Sequence, residues 1–318
     1  MKKILITGSS GYVGYVLSKY FSEKKIPIIG VDVKSNPVWD GNKYFKFYKA
    51  DVTDYDNFLD IFRKESPSHV IHLAFLMSPI HDEKRQQDID INGSKNTMNA
   101  ANKTSSVKQF IKFSSASAYG AWPDNKKWLK ETDPLKPGDF RYGTNKKIVE
   151  KHLNEFDKRK DLNLIIIRMC TAIGPLYHKK GGVVSMLINS PFLIKPDGRY
   201  CEVQFIHEND LCALTELIIN DKKIKGTYNL APKDYSTTKK LVPDKLFLWI
   251  PLKLMSIILG MLWKLKLSDR MPAAARYSAY GIVIDPSKLI KRYGYKFKYT
   301  TLSGFSETVR KRKKLGTI

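Results

Sequence analysis

Apolar, β-favouring runs alternate with amphipathic stretches along the first half of the chain, which predicts strands separated by helices. Lys3-Ile4-Leu5-Ile6-Thr7 reads as a first strand that stops at Gly8, and Tyr15 to Phe21 reads as the helix after it. Pro27 to Val31 is a second strand ending in Asp32. Tyr44 to Tyr48 is a third, closing at Ala50-Asp51-Val52-Thr53-Asp54. Phe58 to Phe62 reads as helical, Ser68 to Ala74 as strand four, and Asn92 to Ala101 as a helix. Gln109 to Ser115 is strand five, followed by a helix over Thr144 to Phe156 and a strand over Asn163 to Arg168.

This order implies an α/β fold: a Rossmann-type, doubly wound parallel sheet with helices on both faces. Ligands of such sheets bind at the strand C-terminal edge, where Gly8, Asp32, Ala74 and Ser115 would gather. After about residue 175 the alternation fades into loops (Gly181-Gly182, Pro191, Pro196-Asp197-Gly198) and short strand-like pieces at Val203 to Ile206 and Thr227 to Leu230. The expected division is therefore a dinucleotide-binding domain over 1–175. A smaller substrate-binding portion over 176–318 would partly return to it.

Composition narrows the classes. At 318 residues and 42% hydrophobic, the chain buries a full core, which excludes a disordered protein. Three cysteines without a C-x-x-C pair point to a reducing, cytoplasmic setting and away from disulfides or cysteine-ligated zinc. The three-residue apolar run after Met1-Lys2-Lys3 is too short for a signal peptide. Six histidines show no ligand spacing, so no metal is expected. The net charge of +24 comes from scattered lysines and a terminal cluster, Arg310 to Lys314, read as a solvated helix. No nucleic-acid motif accompanies it.

Gly8-Ser9-Ser10-Gly11-Tyr12-Val13-Gly14 stands between the first strand and its helix. In that context Gly8 serves a tight turn, Gly11 lets backbone N–H groups approach a pyrophosphate, and Gly14 lets helix and strand pack closely. Asp32 stands where a carboxylate holds the adenosine ribose and repels a 2′-phosphate, which favours NAD over NADP, although Lys34 lies close by. Tyr142-Gly143-Thr144-Asn145-Lys146 places a phenol and an amine one helical turn apart. An ammonium beside a phenol lowers its pKa and makes it an acid-base, and Ser115 at a strand end upstream can hold a substrate oxygen.

Together these motifs resemble the extended short-chain dehydrogenase/reductase family, in its NAD-dependent epimerase/dehydratase branch, over nearly the whole chain. Asp51-Val52 is similar to the family's adenine-contacting pair, His72-Leu73-Ala74 to its strand-four motif, and Asn92-Gly93-Ser94-Lys95-Asn96 to its N-x-x-G-T-x-N helix. Ser114 to Gly120 resembles S-S-x-x-V-Y-G, Gln204 to Asp210 resembles F-I-H-V-x-D, and Asp285-Pro286-Ser287-Lys288 resembles D-x-S-K. The resemblance implies catalysis by Ser115, Tyr142 and Lys146. It implies an NAD site built from Gly8, Ser10, Gly11, Tyr12, Val13, Gly14, Asp32, Asp51, Val52, Leu73, Ala74, Asn92, Tyr142 and Lys146. It also implies a homodimer paired through helices of the catalytic half.

The chain departs from the pattern in places. Dehydratases carry an acidic pair where Ala116 and Ser117 stand, which argues against dehydration. Epimerases of nucleotide sugars show R-x-x-N where this chain has Arg168 to Thr171, and an arginine where it has Val203. The leading expectation is hydride transfer at a hydroxyl or ketone carbon of a small organic substrate. The alternative is a nucleotide-sugar (UDP-sugar) 4-epimerase whose NAD does not exchange. Leu246 to Trp263 is strongly apolar but interrupted by Pro251 and Lys253. It is read either as a helix covering the pocket or packing in the small portion, or as a surface that dips into a lipid interface.

Overall fold

The computed structural model describes residues 2–35, 41–176 and 182–318; Met1 and Gly181 of the expected loop lie outside the described residues. Seven parallel strands form the central sheet: β1 (Ile4–Thr7), β2 (Ile28–Asp32), β3 (Phe45–Lys49), β4 (His69–His72), β5 (Gln109–Ser115), β6 (Asn163–Met169) and, much later in the chain, β11 (Gly226–Leu230). Their order is β11-β6-β5-β4-β1-β2-β3. The chain builds outward from β1 through β2 to β3, then crosses back to β4. The direction therefore reverses between β1 and β4.

Both faces of the sheet are covered, which is why its strands read as nearly continuous apolar runs. Successive residues serve opposite sides: Ile4 and Ile6 enter one core with Ile167, Leu211 and Leu214, whereas Leu5 enters the other with Phe58, Phe62 and Phe110. Helices α1 (Tyr12–Glu23) and α7 (Glu208–Asn220) pack together on the first side. On the second, α2 (Tyr55–Glu65), α4 (Gly93–Lys103) and α5 (Arg141–Glu155) lie side by side. The short α3 (Glu83–Gln87) leads by a π-turn over Asp88–Asn92 into α4.

Three small two-stranded sheets follow: β7 (Thr171–Ile173), just before residue 175, pairs with β10 (Phe205–His207), β9 (Glu202–Val203) with β12 (Ser236–Thr237), and β8 (Phe192–Pro196) with β13 (Leu246–Ile250). Helices α6 (Gly182–Asn189), α8 (Thr238–Leu241), α9 (Leu252–Lys264), α10 (Ala274–Ala279), α11 (Ser287–Tyr293) and α12 (Thr301–Lys314) complete this half. It gives β11 and α7 back to the main sheet.

Four expectations need correction. The helix expected from Thr144 begins at Arg141, because Phe140 is still extended and the next residue is already helical. The piece expected over Val203 to Ile206 divides at Gln204, whose buried amide bonds Pro232 O and Ile284. The apolar stretch 246–263 is not one helix: β13 pairs with β8, Pro251 ends it, and α9 starts at Leu252. The terminal basic run is not wholly solvated, since Arg312 is buried and donates to Thr317 O at 3.1 Å.

Candidate active site

The turn after β1 is built from space that side chains would fill. Gly8 has φ +70°, and a Cβ there would lie 2.8 Å from Ala74 N. At Gly14 a Cβ would stand 2.2 Å from Gly8 O, so α1 reaches the turn only because that residue is glycine. Gly11 is the N-cap of α1 and offers no side-chain cap to the first-turn N–H groups of Tyr12, Val13 and Gly14. Asp32, at the end of β2, accepts from Ser10 N at 3.0 Å and Lys34 N at 3.2 Å, tying the turn to the next strand. Beyond β4, Leu73 N and Ala74 N both donate to Thr7 Oγ1 at 3.2 Å.

The same strand edge continues to Asp51, Val52 and Asn92. Asp51 accepts from Thr53 N at 2.9 Å and Arg85 at 2.5 Å. Burial opposes its charge, but these bonds hold its carboxyl below the usual range. Val52 is buried against Gly93. Asn92, in the π-turn, donates to Asp88 at 3.0 Å.

On the other side of the switch point, Ser115 ends β5 and accepts from Ser117 N at 3.1 Å, which fixes its hydroxyl at the head of a tight turn over Ala116–Tyr119. Tyr142 lies half-buried in the first turn of α5, edge-on to Phe75 with centroids 5.6 Å apart. Burial pushes its phenol up to about 12, a hydrogen bond with Ser115 works the other way, and the Asp90 carboxylate adds to the rise. Lys146 is buried one turn along; its Nζ donates to Phe113 O at 2.9 Å and lies 3.7 Å from the Phe75 ring centroid. Burial brings its ammonium down to about 7, against the pull of Asp90 and Glu150. The lowering of the Tyr142 pKa expected from Lys146 is therefore not the balance here, since burial leads at both groups. Desolvation acts on both groups, and the amine is turned toward a carbonyl.

Several site residues escaped the sequence reading. Lys112 on β5 is fully buried, donates to Ser94 Oγ at 3.1 Å, and faces Phe75 at 4.8 Å. Burial and the Lys146 charge push it well below its ordinary value. His72, of the strand-four motif, bridges Thr7 Oγ1 (2.7 Å) and Ser94 Oγ (2.9 Å). Asp90 is buried, accepting from Leu76 N (2.8 Å) and Asn145 (2.9 Å). Glu208 accepts from the Tyr12 hydroxyl at 2.8 Å, and burial raises it to about 7 despite that bond and another from Leu176 N. Arg168, compared above with an epimerase motif, is turned inward: it clamps Glu150 (2.8 Å) and donates to Tyr119 (2.9 Å) and Glu131 O (3.0 Å). A lysine within a strand, or an arginine before a loop, carries no local pattern that separates a buried role from a solvated one.

The second half reaches the site through α10. Tyr277 donates to Ser117 O at 3.0 Å and packs at a tilt against Phe140, with ring centroids 4.1 Å apart. Upstream of it, Arg270 lines a cavity of about 640 Å³ with Gly182, Ser185, Met186 and Asn189. Among the described residues, no group of three His, Cys, Asp or Glu is placed to hold a metal ion.

The model of the NAD dependent epimerase/dehydratase family matches residues 4–231. A curated relative, the UDP-glucuronate 4-epimerase of Thermodesulfobacterium geofontis, is 28% identical over 54% of this chain and 56% of its own length. The chain thus spans little more than half of that relative. Among solved structures, the Bordetella bronchiseptica enzyme WbmG in complex with NAD and UDP superposes with a TM-score of 0.80 at 20% identity, covering 99% of this chain and 94% of that one. The UDP-glucose 4-epimerase with UDP-glucose from Thermotoga maritima gives 0.77 at 23% identity, covering 98% and 99%. At these identities the superpositions establish the fold.

Proposed function

The chain belongs to the NAD dependent epimerase/dehydratase family, and on that premise we propose that it binds NAD and catalyses hydride transfer at a hydroxyl or ketone carbon of a small organic substrate. The observation that carries this reading is the convergence of Ser115 at the end of β5 with Tyr142 and Lys146, one turn apart on α5, whose amine donates to Phe113 O of the same strand at 2.9 Å.

The residues fit a dinucleotide. Side chains at Gly8 and Gly14 would strike the backbone of the turn and of β4's end, so glycine there keeps the turn tight and α1 close, and the uncapped start of α1 offers N–H groups to a pyrophosphate's charge. Asp32 would hold the adenosine ribose and disfavour NADP; Asp51 and Val52 would border the adenine, with Leu73, Ala74 and Asn92 along the rest of the groove. When bound, NAD supplies the acceptor and donor of hydride. The chain's own groups manage the proton. Ser115 orients the substrate oxygen, and Tyr142, held protonated by its burial, donates to a ketone oxygen or takes the proton back from an alcohol. Lys146 would hold the nicotinamide ribose. Once a ligand turns its amine from Phe113 O, its charge would favour the phenolate.

The test is the purified chain with NAD and a panel of UDP-sugars, dTDP-sugars and apolar alcohols, followed by nicotinamide absorbance and product chromatography. Tyr142→Phe is expected to keep NAD affinity nearly intact while turnover falls by roughly 10²–10⁴. Equal turnover in the variant removes the mechanism.

Epimerisation of a nucleotide sugar is the second reading, supported by the likeness to the UDP-glucuronate 4-epimerase. Stoichiometric NAD in the purified protein, with isomerised sugar and no net reduction, would favour it; loss of NAD on gel filtration would count against it. The free Cys170, Cys201 and Cys212 support a cytoplasmic setting. The family resemblance alone suggests a dimer paired through helices of the catalytic half, which sedimentation velocity would reveal as a two-chain mass.

A further inference from the structure

Helix α9 is apolar on nearly every side, yet Met255 is its one buried residue. Leu254, Ile257, Ile258, Met261 and, just past the helix, Leu265 follow at spacings of three and four, and all five are exposed, Leu265 by 67%. They form one outward stripe. The neighbouring two-stranded sheet extends it: Leu246 and Leu248 alternate along β13, Phe192 pairs with Leu246, and all three are exposed. A continuous apolar face of this size is not the ordinary surface of a monomer.

Its rim says what covers it. From Lys245 to Arg270 the chain carries four lysines and one arginine against a single carboxylate, Asp269. The whole chain has a net charge of +24, so a second copy would bring like charge against like. An anionic lipid surface meets both properties: acyl chains for the stripe, headgroup phosphates for the lysines, and a zone where Trp249 and Trp263 are at home. The 13-residue α9 is about 20 Å long, and no helix among the described residues is long and apolar enough to cross a membrane, so it would lie in the interface plane.

We infer that the β13–α9 face docks the protein on anionic membranes. The inner end of α9 points to a consequence: Trp263 stacks on His81 at 3.9 Å and lies 6.0 Å from the guanidinium of Arg141, the residue before Tyr142. The docking face thus borders the mouth of the catalytic groove, where a substrate carried by the lipid surface could enter.

Co-sedimentation of the full chain with phosphatidylcholine vesicles, with and without phosphatidylglycerol, tests this without any catalytic readout. The wild type is expected in the pellet with the anionic vesicles and in the supernatant with the neutral ones. Ile257→Asp/Ile258→Asp, at exposed positions, should lower partitioning by about tenfold or more with an unchanged circular dichroism spectrum. Trp249→Ala, on the adjoining strand, should weaken it to a lesser degree. Equal partitioning of the wild type and the double variant would overturn the proposal, as would no partitioning of the wild type. A lipid-free dimer that the double variant dissociates would assign the face to a second copy and overturn it too.

Discussion

Lys146 donates its side-chain proton to the carbonyl of Phe113 at 2.9 Å, so the helix that carries Tyr142 is pinned to the strand that carries Ser115. One bond from a buried amine therefore sets the separation of the two groups proposed to hold the substrate oxygen. The same burial makes the amine costly to charge, and this cost has a measurable sign.

Lys146 sits near 7 in the folded chain against 10.5 ordinarily. Between these values the unfolded chain holds more protons, so stability rises with pH across that window, and the penalty is complete below about 7. Lys112, Asp90 and Glu150 lie around it and act on its charge. Comparing the wild type with Lys146→Met removes their shared contribution. From about pH 6 to about pH 10 the wild type should gain on the order of 3 kcal/mol relative to the variant in urea unfolding. A pH-independent difference would show that the lysine is not desolvated.

Gly14→Ala should be severe. The added Cβ would lie 2.2 Å from Gly8 O, a backbone atom that cannot swing aside. A loss of about 1–3 kcal/mol of stability is expected, together with loss of the thermal shift that NAD gives the wild type. A variant that melts like the wild type and still responds to NAD would show that the turn is looser than described.

Asp32→Asn keeps an acceptor for Ser10 N and Lys34 N while removing the charge. The ratio of NADP to NAD affinity should rise by about tenfold or more, read by nicotinamide fluorescence titration. An unchanged ratio would place the adenosine ribose away from this carboxylate.

Arg168→Met would leave Glu150 buried without its cation. The expected cost is about 3–5 kcal/mol, and Arg168→Met/Glu150→Met should recover much of it. This double-variant cycle, measured by chemical unfolding, separates a structural clamp from a substrate-binding arginine. A substrate ligand would instead show a raised KM at near-normal stability.

The strands, the glycine turn, Asp32 and the Tyr-x-x-x-Lys spacing were legible because each leaves a short-range mark. Two-sided burial makes apolar runs, a tight turn demands glycine, and one helical turn separates residues four apart. By contrast, Lys112, Asp90, Glu208 and Tyr277 entered the site from places with no local pattern. Their neighbours are distant in sequence and only the sheet order brings them together. The apolar stretch at 246–263 shows the same limit. Its hydrophobicity was plain, but whether it faced a core or solvent depended on what packed against it.

By itself, then, the sequence determined the winding of the sheet and the glycine turn, and it put forward a phenol, an amine and a hydroxyl as the catalytic candidates. Backbone conformation and side-chain period are local properties of a chain. Only the tertiary structure decided that Lys146 points to Phe113 O, that Arg168 is spent on Glu150, and that α9 shows its apolar stripe outward. Desolvation and pairing depend on groups supplied by remote segments, and these are settled only when the chain has closed on itself.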